Sequence, residues 1–160
     1  MEPKMPRKLA VANADDILKL DDQLCFALYA TSRAITGVYR PALEKLGLTY
    51  PQYLVMLVLW EGDGISVGEL GERLYLDSGT LTPLLKRLEA QGLIVRQRDS
   101  ADERQVNASL TLAGVRMKRN ATAMAITLQC KLQLPKGKVD MLRKELKQLM
   151  KVAISSEESA

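Results

Sequence analysis

Residues Tyr75 to Thr111, YLDSGTLTPLLKRLEAQGLIVRQRDSADERQVNASLT, decide the fold of this chain. Asp77 or Ser78 can cap a helix start, because a short side-chain oxygen accepts a hydrogen bond from a backbone amide of the first turn. Gly92 supplies the left-handed residue that ends many helices. Between cap and glycine, leucines recur at the helical spacing of one buried face. They are Leu81, Leu84, Leu85 and Leu88.

Beyond that glycine the pattern changes from helix to strand. Leu93 to Arg98 and Gln105 to Leu110 predict two strands, joined by the polar loop Asp99 to Arg104. Upstream, Ser66 and Glu69 form a capping-box pattern at the start of a short helix. Helix, turn, helix and hairpin in this order are the winged helix-turn-helix arrangement, whose second helix enters a DNA major groove. An amphipathic helix before a hairpin also occurs in other folds, so this pattern alone leaves DNA binding open.

The distribution of charge favours DNA. From Lys86 to Arg119 eight basic residues face four acidic ones, whereas from Asp15 to Asp77 five basic residues face ten acidic ones. The net charge of +4 for the whole chain therefore hides a segregated basic region. Neutralising DNA phosphates requires such a region. A merely solvated charged face does not explain why the basic excess coincides with the hairpin and the polar helix face.

Length and composition indicate one compact unit. With 160 residues and 47% hydrophobic content, the chain can bury one sizeable core. We expect a single domain over residues 15–154, with disordered tails at 1–14 and 155–160. Basic residues lie near the N-terminus, but no long apolar run follows them, so we expect neither a signal peptide nor a membrane span. A cytoplasmic location is expected.

The predicted fold is mainly α, with a small β-hairpin wing. We expect dimerisation helices over residues 15–47 and 111–154 around a winged module over 49–110. The terminal helices exceed what a small module needs for its own core, so they predict a two-fold dimer that matches a palindromic operator. Their apolar stripes contain Ile17, Leu20, Leu24, Leu28, Ile35 and Val38 in the first, and Val139, Leu142, Leu146, Leu149 and Ala153 in the second.

Two further helices complete this prediction. An apolar helix over Tyr53 to Trp60 is entered through Thr49 and Pro51. Thr111 can cap another helix, which runs towards Leu134 before Pro135 stops it.

The wing residues carry a family resemblance. Asp102, Arg104, Leu110 and Thr111 fit the D-x-R-x5-L-T pattern of MarR-type regulators. Three further segments carry a closer resemblance, namely LCFALY (Leu24 to Tyr29), TYPQYL (Thr49 to Leu54) and LYLDSGTLTPLLKR (Leu74 to Arg87). In these segments the chain closely resembles one branch of that family, the organic hydroperoxide resistance repressors (OhrR). The resemblance implies a dimeric repressor that stays on DNA while a cysteine near the start of the first long helix is reduced. It implies that the repressor leaves DNA when organic hydroperoxides oxidise this cysteine.

The chain has two cysteines, Cys25 and Cys130, and no histidine. Two cysteines make a poor zinc site, because structural zinc normally takes four Cys or His ligands, and the spacing is not that of a CxxC oxidoreductase. We therefore expect no metal and no cofactor. Either cysteine alone could be a small buried apolar residue. For Cys25 the resemblance favours the redox role instead.

A sensing cysteine must react as a thiolate, and only a few per cent of an ordinary thiol is ionised at neutral pH. The nearby Asp21 and Asp22 disfavour a further negative charge. The resemblance supplies hydrogen-bond donors for the thiolate, namely the hydroxyls of Tyr39 and Tyr50, with Tyr29 lining the same pocket. Leu24, Leu28 and Tyr53 are further candidates for its lining.

Geometry restricts how these groups can meet. On one continuous helix the 14 residues between Cys25 and Tyr39 correspond to about 21 Å along the axis. A hydrogen bond between them therefore requires the first helix of a partner subunit to cross antiparallel. The redox site is predicted to be a composite of two chains.

The position of Cys130 resembles that of the resolving cysteine in the two-cysteine branch of the family. The resemblance implies that oxidised Cys25 forms a disulfide with Cys130 of the partner subunit. A disulfide allows Cα separations of only about 4.4 to 6.8 Å, so thiols that lie farther apart must be brought together by helix movement. Such movement would change the spacing of the two reading helices and cost contacts in both grooves.

The predicted DNA contacts lie on the reading helix and the wing. Small residues at the helix start can reach bases and phosphates, while Lys86 and Arg87 are expected on the DNA backbone. In the wing, the resemblance makes Arg104 the residue that enters the minor groove, with Asp102 holding its guanidinium. The alternative is that these two residues only pin the hairpin. The small residues at the helix start are Ser78, Gly79, Thr80 and Thr82.

Two rival functions remain open at this point. One is a MarR-type repressor released by a small phenolic or other ligand, with the cysteines incidental. The other is a thiol peroxidase, which we disfavour because no arginine adjoins Cys25 in the sequence and no peroxidase motif is present. The chain is not expected to be an enzyme.

Overall fold

Helices make up most of this chain, and a small antiparallel sheet interrupts them. The computed structural model describes residues 18–99 and 104–157. After a 3₁₀ turn at Leu20–Asp22, the elements are α1 (Leu24–Lys45), α2 (Tyr50–Glu61), β1 (Ile65–Ser66), α3 (Val67–Leu74), α4 (Ser78–Ala90), β2 (Ile94–Arg98), β3 (Val106–Leu110), α5 (Leu112–Leu132) and α6 (Lys136–Glu157). The predicted class, mainly α with a hairpin wing, is confirmed.

The contacts divide the chain into two compact units, Met1–Tyr53 and Leu54–Ala160. In the first unit Leu43, Leu48 and Tyr53 are buried. In the second unit, α2 to α5 and all but the shortest strand contribute buried apolar side chains. They are Val55, Met56, Val58, Leu59, Leu70, Leu81, Leu85, Leu88, Leu93, Ile94, Ala108, Ala121, Met124 and Leu128. That residues 15–154 form a single domain stays a prediction.

The sheet has three strands in the order β1-β3-β2, and both pairs are antiparallel. The hairpin of β2 and β3 is the predicted wing, with Ile94 opposite Leu110 at its base and Arg98 opposite Val106 towards its tip. Strand β1 was not predicted. Its two residues are too few to show an alternating pattern, and it pairs with β3 far along the sequence.

The structure confirms the predicted helix caps. The Asp77 side chain accepts from the Thr80 amide (2.9 Å) and caps α4, and Ser66 accepts from the Glu69 amide (3.1 Å) to cap α3. Thr111 accepts from the Gly114 amide (3.1 Å) at the start of α5. Gly92, with φ +70°, follows α4 as predicted. These signals depend on a few consecutive residues, and the sequence therefore contains them in full.

Two predicted helix limits were wrong. The first long helix begins at Leu24, and Leu20 of the predicted stripe lies in the preceding 3₁₀ turn. Gln23 separates the two with an extended backbone (φ −82°, ψ 111°). Aspartate is a weak helix former, and the pair before Gln23 suits the N-terminal side of a helix better than its interior. Ile17 and the predicted tail at 1–14 lie outside the described residues.

At the other end, α6 continues to Glu157, so Ser155 and Ser156 belong to a helix and not to a disordered tail. Both hydroxyls donate to the Val152 carbonyl (3.0 and 2.8 Å), which allows serine to continue the helix. Most of the predicted apolar stripe of α6 is exposed. Its exposed members include Leu142, Leu146 and Leu149. Within the described ranges, the chain has no helix long and apolar enough to span a membrane.

Candidate functional site

Cys25 is the second residue of α1, and its free thiol is exposed. The late helix start thus places it in the first turn, where backbone amides without intrahelical partners carry partial positive charge. The Gln23 side chain reaches back to the Lys19 carbonyl (3.4 Å) and does not cap the helix. The start of a helix favours negative charge in general. The sequence prediction missed this position, because a helix starting at residue 15 would place Cys25 in its interior turns.

Three tyrosine rings pack together within the first unit. The Tyr39 and Tyr50 centroids are 5.4 Å apart in an edge-on arrangement, and Tyr53 lies 6.2 and 6.3 Å from them. Burial, and then the neighbouring Tyr39 phenol, raise the pKa of Tyr50 above its ordinary value. Burial followed by both neighbouring phenols raises the pKa of Tyr53. The Tyr50 and Tyr53 hydroxyls therefore stay protonated near neutral pH and can donate hydrogen bonds.

The structure places Cys25 and Tyr39 on one continuous helix, α1. Pro41 lies inside that helix but beyond both residues. The predicted separation of about 21 Å along the axis therefore applies. Within one chain the Cys25 thiol does not reach the Tyr39 phenol, and their meeting across a dimer stays a prediction.

Tyr29 lies one helical turn after Cys25 and is bonded to Arg33 one turn further on. The Arg33 Nη1 donates to the Tyr29 hydroxyl (2.9 Å), and its guanidinium carbon lies 5.5 Å from the ring centroid. Residues 25, 29 and 33 share one helix face because they are four apart. A cation therefore does lie on the face that carries Cys25, although no arginine adjoins it in sequence. The four-residue spacing was the signal that sequence reasoning overlooked.

Cys130 lies in the last turn of α5, and its thiol is also free and exposed. The helix predicted from Thr111 towards Leu134 also places Cys130 near its end. In residues 18–99 and 104–157, His, Cys, Asp and Glu side chains form no group of three or more that could hold a metal ion.

Helix α4, the predicted reading helix, exposes most of the polar residues that are expected to contact DNA. Ser78, Gly79 and Thr80 are exposed at its start, and Thr82 is half-buried. Asp77 accepts from both the Thr80 amide (2.9 Å) and the Thr80 hydroxyl (2.8 Å). These bonds, the hydroxyl first, lower the pKa of Asp77. Further along the helix, Lys86 and Arg87 are both exposed.

A groove of about 480 Å³ separates the reading helix from the wing. Thr82, Arg96 and Arg104 all line it. Arg96 was not predicted as a site residue. Its Nε and Nη2 donate to one carboxylate oxygen of Glu89 (3.0 and 2.6 Å), and these bonds lower the pKa of Glu89. The contact joins a helix to a strand across the Gly92 turn, so no periodic pattern could reveal it. Asp102 lies outside the described residues.

The start of α5 is joined to the winged module by several bonds. The Trp60 indole N–H donates to the Gly114 carbonyl (3.0 Å), and the Lys118 ammonium donates to the Trp60 carbonyl (2.9 Å). The Thr111 amide donates to the Leu93 carbonyl (3.0 Å) at the base of the wing. These contacts, which we call the α5 joint, fix the first two turns of α5 to α2 and to the wing.

Comparisons with known proteins agree with this architecture. The family model of the transcriptional regulators SarA/Rot matches residues 37–121. The organic hydroperoxide resistance transcriptional regulator of Bacillus subtilis (strain 168) is 54% identical over 116 residues, which are 72% of this chain and 79% of that protein. The regulator TtmR of Methylorubrum extorquens (strain PA1) is 59% identical over 111 residues, 68% of this chain but only 57% of TtmR.

Among solved structures, AbfR of Staphylococcus epidermidis is similar over nearly its whole length. Its reduced form bound to DNA has a TM-score of 0.73 and 36% identity, covering 88% of this chain and 98% of AbfR. Overoxidised AbfR bound to DNA has a TM-score of 0.72 and 36% identity, covering 87% of this chain and 98% of AbfR. The disulfide form of AbfR has a TM-score of 0.63 and 36% identity, covering 85% of this chain and 96% of AbfR. This chain belongs to the SarA/Rot transcriptional regulators and, among MarR-type winged helix-turn-helix proteins, to the branch of the organic hydroperoxide resistance regulators.

Proposed function

We propose that this regulator is a dimeric repressor that leaves its operator when an organic hydroperoxide oxidises Cys25 and a disulfide then forms with Cys130 of the partner subunit. The observation that carries the proposal is the exposed Cys25 thiol in the first turn of α1. A helix start favours negative charge in general, and exposure gives a peroxide access to the sulfur. The similarity to the Bacillus subtilis regulator supports the choice of oxidant.

The thiolate needs further donors, and the tyrosine cluster can supply them from the partner subunit. Tyr39 and Tyr50 pack against each other, and the raised pKa of Tyr50 keeps its hydroxyl protonated. Because about 21 Å of helix separates Cys25 from Tyr39 in one chain, the donors must come from a second copy. The exposed apolar side chains of the terminal helices, Leu24 and Leu146 among them, support such a dimer.

The reaction is a two-electron oxidation of sulfur. The Cys25 thiolate attacks the distal peroxide oxygen, the O–O bond breaks, and the leaving alkoxide takes a proton to become an alcohol. The product is a Cys25 sulfenic acid. The Cys130 thiolate of the partner subunit then attacks that sulfur, which forms the disulfide and releases the oxygen as water. The net result is one peroxide reduced and two thiols oxidised.

Release from DNA follows from the disulfide rather than from oxygen addition alone. AbfR is known on DNA in both its reduced and its overoxidised forms, so added oxygen does not by itself prevent DNA binding in that relative. A disulfide constrains its two Cα atoms to within about 7 Å and can therefore force helices to move. We propose that α5, which carries Cys130, passes this movement to the winged module through the α5 joint.

Operator binding itself is assigned to the reading helix and the wing. Ser78, Gly79, Thr80 and Thr82 would meet bases and phosphates, and Lys86 and Arg87 the DNA backbone. Arg104 lines the groove beside α4 and would reach the adjacent minor groove, with Asp102 as its partner.

The proposal is tested by measuring operator binding before and after treatment with cumene hydroperoxide. The three proteins compared are wild type, Cys25→Ser and Cys130→Ser. Wild type should lose the operator and run as a covalent dimer in non-reducing electrophoresis. Cys25→Ser should keep the operator, and Cys130→Ser should form no covalent dimer. Release that persists in Cys25→Ser would contradict the proposal and favour a repressor controlled by a non-covalent ligand. Continuous consumption of peroxide with a thiol reductant would indicate a peroxidase instead.

The tyrosine donors have their own test. Tyr39→Phe should slow Cys25 oxidation by roughly tenfold or more, since a hydrogen bond to a charged group is worth about 1.5 to 3 kcal/mol. Stopped-flow consumption of the thiol under excess peroxide measures this rate. If Cys25 of the Tyr39→Phe protein is oxidised as fast as in wild type, the Tyr39 hydroxyl does not donate to Cys25.

A further inference from the structure

Tyr75 has an unusual backbone conformation in the turn between α3 and the reading helix. Its φ of 55° and ψ of 41° lie in the left-handed region, and its side chain is 64% exposed. Glycine adopts this conformation readily, whereas a residue with a Cβ does so only at a cost in free energy. Turns of this kind between two helices often contain glycine for that reason.

The turn itself requires the conformation but not the tyrosine. The Tyr75 amide donates to the Glu72 carbonyl (3.3 Å), and the Leu76 amide donates to the Gly71 carbonyl (3.0 Å). These bonds satisfy the last carbonyls of α3 as a left-handed residue after a helix normally does. Both involve only backbone atoms, so a glycine at position 75 would keep them.

Packing does not explain the aromatic ring either. Tyr53, which belongs to the core, is only 5% exposed, whereas about two thirds of Tyr75 faces solvent. A strained backbone that carries an exposed aromatic side chain is a feature found at functional sites. The reason for an aromatic ring at this position must therefore be a contact with another molecule.

The position of Tyr75 indicates what that contact is. A concavity of about 360 Å³ is lined by Tyr75 together with Ser78, the first residue of the reading helix. Asp77 lies between them, and its carboxylate is held by the amide and hydroxyl of Thr80. A phenol is a neutral donor, and tyrosine is among the side chains that bind DNA phosphates.

We infer that the Tyr75 hydroxyl donates a hydrogen bond to a phosphate oxygen of the DNA backbone beside the groove that α4 enters. The inference rests on the proposed function, since it requires α4 to be the reading helix. Tyr75 positions that helix and reads no base. Its loss therefore weakens binding alike for matched and mismatched operators.

The chain contains a matched control for the strained backbone. Gln133 is the other non-glycine residue with positive φ among those described (47°), and it is exposed after α5, away in sequence from the reading helix. Gln133→Gly and Tyr75→Gly should both raise the melting temperature, because each relieves a left-handed backbone. Tyr75→Phe keeps the ring and the backbone and removes only the hydroxyl.

Operator affinity is measured on the reduced full-length protein, with a duplex selected from a random pool for binding to reduced wild type. Tyr75→Phe and Tyr75→Gly should each weaken binding roughly fivefold per half-site, or about twenty-five-fold for a dimer on two half-sites. Gln133→Gly should bind as wild type. Wild-type affinity in Tyr75→Phe overturns the inference, as does an equal loss in Gln133→Gly. If the pool yields no duplex that binds wild type, both the proposed function and this inference fail.

Discussion

Replacing Gly114 by alanine tests how tightly α5 is fitted to the wing. A Cβ at this position would clash with the Leu93 carbonyl oxygen and would lie 3.2 Å from the Leu110 side chain. The first neighbour is backbone, held by its bond from the Thr111 amide, and cannot swing aside. Overpacking of this kind costs about 1 to 3 kcal/mol, and in a helix it is partly offset by the lower entropy of unfolded alanine, about 0.4 to 1 kcal/mol.

Gly137→Ala provides the control with the opposite sign. Gly137 is also helical, but an added Cβ there meets nothing within 4 Å. This variant should gain about 0.4 to 1 kcal/mol, whereas Gly114→Ala should lose about 1 to 2 kcal/mol. Both glycines lie in the first turn of a helix, but only Gly114 is crowded, against Leu93.

Urea unfolding, monitored by circular dichroism, measures the stability of both variants. All samples have the same protein concentration, because the stability of a dimer depends on concentration. With m about 2 kcal/mol per molar urea for a chain of this size, the Gly114→Ala midpoint should fall by roughly 0.5 to 1 M. Gly137→Ala should move slightly upward. A Gly114→Ala midpoint at or above that of wild type would show that the α5 joint is not close-packed in solution and refute the reasoning.

The remaining predictions concern pH and the α5 joint. Because the pKa of Tyr50 is raised from 10.0, its contribution to stability is present below pH 10 and lost as pH rises further, so Tyr50→Phe should resist alkaline unfolding better than wild type. Because the pKa of Asp77 is lowered from 3.8, its contribution to stability is present above pH 3.8 and lost as pH falls. Asp77→Asn should therefore lose less stability than wild type as the pH falls below 3.8. Lys118→Met removes the bond to Trp60 and should cost about 0.5 to 1 kcal/mol in urea unfolding; an equal loss in Arg119→Met, which removes the neighbouring charge, would contradict the role of that bond.

Much of the winged module could be predicted because its signals are local. The caps at Asp77 and Thr111 each join a side chain to an amide three residues away. The hairpin follows from two alternating runs with a polar loop between them. The class, the order of the elements and the limits of α4 follow from such short stretches.

What could not be predicted depends on contacts between distant residues or on backbone angles. The Trp60 bond to Gly114 joins residues 54 apart, and no spacing rule indicates it. The helix start at Leu24 depends on the extended backbone of one residue, Gln23, within a run that reads as helical. The left-handed Tyr75 stands where the sequence shows no glycine. The redox site is harder still, since its proposed halves belong to different subunits.

The contact between Glu89 and Arg96 has a consequence for self-association. In the order β1-β3-β2, strand β2 is an edge of the sheet, and an edge strand offers unpaired amides and carbonyls to any other chain. The Arg96 amide, however, donates to the other Glu89 carboxylate oxygen (3.2 Å), so a side chain from α4 occupies that position of the edge. Arg98 adds a second charge to the same strand. One position of the β2 edge is thus closed to pairing with another chain, which works against edge-to-edge aggregation of the wing.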